Sequence, residues 1–281
     1  NPASAATLKV VEWSTDNRHL IIERSFDQTT QYLMLDREDP PLSLNINTTL
    51  GIKPTKISLR DKHPEKLYFL DALPGTLRSA DLRARTISAP MALEVIDYRS
   101  YGEDIVMYVT HHNVTDTGRV EFRVLEGSRE FTLKSVGQSD SYVLDVSRYE
   151  DKWYYLVGAA ADNLAFVYQN PLDTLKSNET SLNVSSILRL DNPQFASFSA
   201  NTQFIALQSG NNLLTFDLEE RRQYRTILDH DIPLNQELDW MDGHRLLYTV
   251  SGQSYMIEFD GSNEETLVTS ELMPGPFFDR D

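Results

Sequence analysis

This chain of 281 residues predicts an all-β fold, a β-propeller of four-stranded antiparallel blades, and three observations predict it. First, a hairpin-like stretch recurs: WSTDNRHLII at 13–22, FSANTQFIAL at 198–207 and WMDGHRLLYTV at 240–250 each pass from an aromatic residue through a polar turn into an apolar strand. Second, the residues that close the first strand of successive units are Trp13, Leu59, Tyr98, Val146, Phe198 and Trp240, spaced 46, 39, 48, 52 and 42 apart. Propeller blades run roughly 40–50 residues. Third, 13 tyrosines and 12 phenylalanines accompany short Val, Ile, Leu and Thr runs, a composition that favours strands over helices. A β-sandwich also shows short regular strands, but its strands exchange between two sheets and give no reason for a six-fold repeat.

Six units are visible in one domain spanning 1–281: 7–49, 53–90, 92–136, 141–191, 194–229 and 236–270. In the first, strands are expected at 9–13, 20–23, 32–35 and 43–46, with Asp39-Pro40-Pro41 breaking the last two apart. The second opens with 55–59 and 67–70, and its outer strands, 78–82 and 85–87, are short and polar. In the third, Val120, Phe122 and Val124 alternate with polar residues, so one face of that strand is buried more than the other. The fourth carries a long polar loop at 175–186 before its last strand at 187–190. The fifth and sixth repeat the pattern, and Asp260-Gly261 supplies a hairpin turn in the sixth. A seventh unit is expected to start at 276–281, because Phe278 falls 38 residues after Trp240 and PFFDRD is similar to the aromatic-to-acid junction of 12–16. A lone terminal strand would leave an unpaired edge. The chain is therefore expected to be a fragment that continues past Asp281; the alternative is that 269–281 pack beneath a closed six-bladed ring after the Pro274-Gly275-Pro276 breaker.

The turn and second strand of WSTDNRHLII resemble TolB-like and WD-repeat-like propeller repeats, with Asp16 at the acidic turn position and Asn17 where that motif usually carries glycine. FSANTQFIAL keeps the aromatic-Ser start but places Asn201 at the acidic position, and WMDGHRLLYT keeps Asp242-Gly243. The second, third and fourth units depart further. The sequence also looks like the propeller region of bacterial membrane-anchored surface proteins that carry a PEGA domain, as in Saccharibacteria, although no PEGA-type segment is evident. That resemblance implies an extracytoplasmic, cell-surface location. The small polar start, NPASAAT, fits either the stub left by an N-terminal anchor or signal or a flexible terminus; the first reading is the one expected, with tethering by a segment absent from this chain.

Charge and composition restrict the partners. A formal charge of −16 repels phosphate backbones and anionic headgroups, so nucleic acid is not expected as a partner. No cysteine is present, which excludes disulfides, thiolate metal sites and a cysteine nucleophile. No run approaches 18 apolar residues, so no direct membrane insertion by this chain is expected. Sequons at Asn47, Asn113, Asn178 and Asn183 would matter only in a eukaryotic secretory host.

Motifs with chemistry are sparse. There is no G-x-S-x-G elbow, P-loop or dinucleotide fingerprint. His111 and His112 with Asp116 offer metal-ligand types, but adjacent side chains in a loop diverge, so no metal is expected. Asp229-His230-Asp231 reads as a solvated connection, and Asp16 and Asp242 read as acceptors for their own turn amides. No catalytic residue and no cofactor site are expected. The expected function is a monomeric, non-enzymatic binding or scaffolding propeller that contacts a protein, peptide or glycan through its inter-blade loops. The two longest loops supply the candidates: His111, His112, Asn113 and Asp116 in 111–118, and Asn178 and Glu179 in 175–186. The alternative is a glycoside hydrolase with a carboxylate pair in the central funnel.

Overall fold

A computed structural model describes residues 6–27, 29–177, 181–234 and 236–269. Six four-stranded sheets follow one another along the chain, and in each the strands lie side by side in sequence order. The first contains β1 (Thr7–Trp13), β2 (His19–Phe26), β3 (Thr29–Asp36) and β4 (Leu44–Asn45), followed by helix α1 (Ile46–Leu50). The second contains β5 (Pro54–Leu59), β6 (Lys66–Asp71), β7 (Leu77–Asp81) and β8 (Thr86–Ile87). The third contains β9 (Val95–Tyr101), β10 (Ile105–Thr110), β11 (Arg119–Glu126) and β12 (Arg129–Gly137). The fourth contains β13 (Tyr142–Tyr149), β14 (Lys152–Ala159), β15 (Leu164–Gln169) and, after helix α2 (Pro171–Lys176), β16 (Val184–Arg189). The fifth contains β17 (Phe195–Phe198), β18 (Phe204–Ser209), β19 (Asn212–Asp217) and β20 (Gln223–Ile227). The sixth contains β21 (Asp239–Trp240), β22 (Arg245–Val250), β23 (Gln253–Glu258) and β24 (Glu265–Thr269). The segment 276–281, where a seventh unit is expected, lies outside the described residues.

Two expectations are corrected. The fourth strand of the first sheet is only two residues long, because the chain turns into α1 at Ile46. Asn45 caps that helix by accepting a hydrogen bond from Thr48 N–H, and Gly51 ends it at φ +67°. The loop expected at 175–186 is shortened at both ends, by α2 and by β16. Pro171 pre-sets the first helical turn of α2, and Asp173 and Lys176 lie at the ends that suit their charges.

Contacts divide the chain into two compact units, 1–105 with 110–113, and 106–109 with 114–281. In the first unit, Ile21, Tyr32 and Met34 from the first sheet pack with Ile57, Leu67 and Phe69 from the second. Each such side chain contributes about 1.5–3 kcal/mol on burial. Polar joints set the register between sheets. Glu12 Oε2 accepts the Leu59 N–H at 2.6 Å, and Lys56 Nζ donates to Asp97 Oδ1 at 2.6 Å and to the Tyr98 carbonyl at 2.8 Å. Burial raises the Asp97 carboxyl, but Lys56 and Arg99 outweigh that effect and hold it below its ordinary value.

In the second unit, Leu156, Val167 and Leu188 pack with Phe198, Leu207 and Phe216, and a further cluster joins Phe204 and Leu213 to Trp240, Leu246 and Ile257. Asp145 joins its sheet to the next by accepting the N–H groups of Val146 (3.0 Å) and Phe198 (2.9 Å). Gln208 does the same with its amide, donating to the Gln236 carbonyl and accepting from Leu238 N–H.

The recurring turn is built as its residues suggest. Asp16 Oδ1 accepts from the N–H groups of Arg18 (2.9 Å) and His19 (3.0 Å), and Asp242 Oδ1 accepts from His244 and Arg245, both at 2.8 Å. Asn17 takes φ +53°, which explains why glycine suits that position in similar repeats. At the end of β3, Asp36 accepts two hydrogen bonds from Arg18, at 2.8 and 2.5 Å. That pairing holds its carboxyl well below the usual carboxylate range; Asp16 also lies below it, because its hydrogen bonds overcome the effect of burial. A carboxylate with a depressed native pKa adds stability above its unfolded pKa, and loses it as pH falls through the native one. Melting temperature should therefore fall steeply from about pH 4 to pH 2, and Asp36→Asn should flatten that slope. A melting temperature equally pH-dependent in both proteins would contradict these assignments.

Candidate functional site

A strip of loops in the first unit gathers exposed apolar residues on a stiff frame. The β6–β7 hairpin tip is Ala72-Leu73-Pro74-Gly75, with a cis Leu73–Pro74 bond, and Leu73 is 97% exposed. Backbone hydrogen bonds hold the tip on both sides. Ala72 N–H donates to the Lys53 carbonyl at 3.3 Å, and Val95 N–H donates to the Gly75 carbonyl at 2.8 Å. Met91 N–H and Leu77 N–H bind the Leu77 and Ala92 carbonyls, at 2.9 and 3.0 Å, so the segment before β9 is pinned as well. Leu93, Pro74, Ala89 and Pro90 are exposed along the same strip.

The loop after β10 attaches to this strip. His111 N–H donates to the Glu94 carbonyl at 3.2 Å. The buried Thr110 hydroxyl lies 2.7 Å from the Leu93 carbonyl and 3.0 Å from that of Glu94, and accepts from His112 N–H at 2.9 Å. Glu94 holds φ +51° and Asn113 φ +56°. Asparagine tolerates that region, whereas glutamate is there because the Thr110 and His111 contacts fix it. Charges border the strip. His112 Nδ1 lies 3.9 Å from Glu94 Oε2, and burial raises the Asp71 carboxyl even though Arg78 approaches it at 3.4 Å.

Of the residues singled out from the sequence, His111, His112 and Asn113 thus join the apolar strip. Asp116 does other work: its Oδ1 accepts from Gly118 N–H at 2.9 Å and its carbonyl from Arg119 N–H at 3.0 Å, so it shapes its own turn. Asn178 and Glu179 lie outside the described residues. Among the described residues, no three His, Asp or Glu side chains are grouped to hold a metal ion. Sequence reasoning missed Leu73; the available signal is an apolar residue directly before a Pro-Gly turn, where a polar residue is the norm.

No protein-family model matches the chain, and no curated protein matches it in sequence. Solved structures do match in three dimensions. A chain of the mitotic checkpoint complex superposes with TM-score 0.60 at 9% identity, over 98% of this chain and 81% of that one. The β-propeller domain of Cps50 (Swd1) from Myceliophteria thermophila superposes with TM-score 0.57 at 11% identity, over 92% and 82%. This chain has a β-propeller fold, and its described residues form six four-stranded blades. A prolyl endopeptidase also superposes, with TM-score 0.58 at 10% identity, over 94% of this chain and 42% of that one. The propeller fold therefore occurs in an enzyme as well as in a chain of a complex, and function must be argued from the site.

Proposed function

We propose that this propeller is a non-catalytic scaffold that docks a protein partner on the loop strip around Leu73. The observation behind the reading is the near-complete exposure of Leu73 on a hairpin held by backbone bonds at both sides. Leaving a leucine in water forgoes about 2 kcal/mol of burial. A stiff tip cannot recover that by folding over, whereas a partner's surface can. The likeness to a chain of the mitotic checkpoint complex supports a role within an assembly. Glu12, Asp97 and Asp145 each join two blades through hydrogen bonds, which favours a structural over an acid–base role for them. The proposed location is the cell surface of a bacterium, supported by the resemblance to propellers of PEGA-domain surface proteins. Among the described residues no helix is long and apolar enough to cross a membrane.

A photo-reactive side chain placed at Leu73 tests the reading. In envelope fractions it should trap one discrete adduct that excess unlabelled protein competes away. The same group at Arg83, 81% exposed on the turn after β7, should trap none. Equal labelling from both positions, or none from position 73, would refute the docking strip.

A further inference from the structure

The outer part of the β2–β3 hairpin holds a second feature, separate from the docking strip. Arg24 pairs across the ladder with Gln31, and Phe26 with Thr29. These are alternate positions, so all four side chains leave the same face of the ribbon. Together they line an open, shallow cleft of about 270 Å³. Phe26 is 40% exposed there, a large apolar ring left in contact with water.

No hydrogen bond or ion pair joins the side chains of Arg24, Thr29 or Gln31 to another described residue. Several other arginines are paired. Arg18 is bound to Asp36, Arg78 lies against Asp71, and Arg123 lies between Glu121 and Glu130. No carboxylate of a described residue pairs with the Arg24 guanidinium. One face of the ribbon therefore presents a planar fork of donors, an amide, a hydroxyl and an aromatic ring.

We propose that this cleft binds a single acidic sugar, a hexuronate. Its carboxylate accepts the forked pair of hydrogen bonds from Arg24, its apolar C–H face lies on Phe26, and its ring hydroxyls bond with Thr29 and Gln31. The cleft volume of about 270 Å³ accommodates one sugar ring. The carboxylate sets this ligand apart from neutral sugars. The stacked ring sets it apart from simple carboxylates.

Titrating the intact chain with glucuronate, glucose and acetate, followed by calorimetry or by amide NMR shifts, tests the site. Glucuronate should bind saturably and about tenfold more tightly than either of the others, because it alone uses both the fork and the ring. Arg24→Gln should reduce it to the level of glucose, and Phe26→Ala should reduce it to the level of acetate. Both side chains are exposed, so the variants should melt with the wild type. Acetate binding as tightly as glucuronate would show bare anion attraction, and glucose binding as tightly would show that Arg24 is not used. Either result, or no effect of the two substitutions, would overturn the proposal.

Discussion

Gly75→Ala should destabilise the protein by about 3 kcal/mol and detach the Leu73 hairpin from the start of β9. Gly75 holds φ +79°, where an alanine side chain costs about 1 kcal/mol on conformation alone. The rest comes from contact. A Cβ at this position would lie 2.3 Å from the Val95 carbonyl oxygen and 3.1 Å from its nitrogen. Both are backbone atoms, so relief requires moving a strand end and losing the 2.8 Å bond from Val95 N–H to the Gly75 carbonyl. Thermal melting combined with hydrogen exchange at the Val95 amide reads both effects. Gly51→Ala is the control: φ is +67° but no atom lies within 4 Å, so only the conformational cost of about 1 kcal/mol should appear. Equal effects at the two positions would show that the hairpin is not packed as described.

Asp145→Ala should be of similar size. The residue is buried, and its two carboxylate oxygens separately accept the N–H groups of Val146 and Phe198, the second of which belongs to the next blade. Removing the acceptor strands two N–H groups, one of them on the fully buried Phe198, at about 1–3 kcal/mol each. Asp145→Asn keeps one acceptor and should lose roughly half as much. Denaturant unfolding measures the series, and an alanine variant as stable as the wild type would remove the joint from the description.

These joints mark the limit of what the chain reveals before it folds. Trp13, Leu59, Phe198 and Trp240 end β1, β5, β17 and β21, and Tyr98 and Val146 lie within β9 and β13, because alternation and turn chemistry are local properties that survive in a linear reading. Helix α1 was not legible, since Ile46, Thr48 and Thr49 have the composition of a strand, and only the Asn45 cap and Gly51 stop convert them. Lys56 and Asp97, or Asp145 and Phe198, are 41 and 53 residues apart, and no spacing rule pairs them. The candidate site divides in the same way. His111, His112 and Asn113 stand out as a polar insertion, whereas Leu73 reads as one more core leucine until the fold leaves it in water.

The most direct measurement of the docking claim is the affinity of the partner trapped at position 73 for three proteins: wild type, Leu73→Asp and Arg83→Asp. Leu73 makes no buried contact in the free chain, so its replacement should leave the melting temperature unchanged and raise Kd by about tenfold or more, equivalent to 1.4 kcal/mol of lost burial. Arg83→Asp should bind as the wild type does. A Leu73→Asp protein that binds with wild-type affinity would contradict a partner seated on this strip.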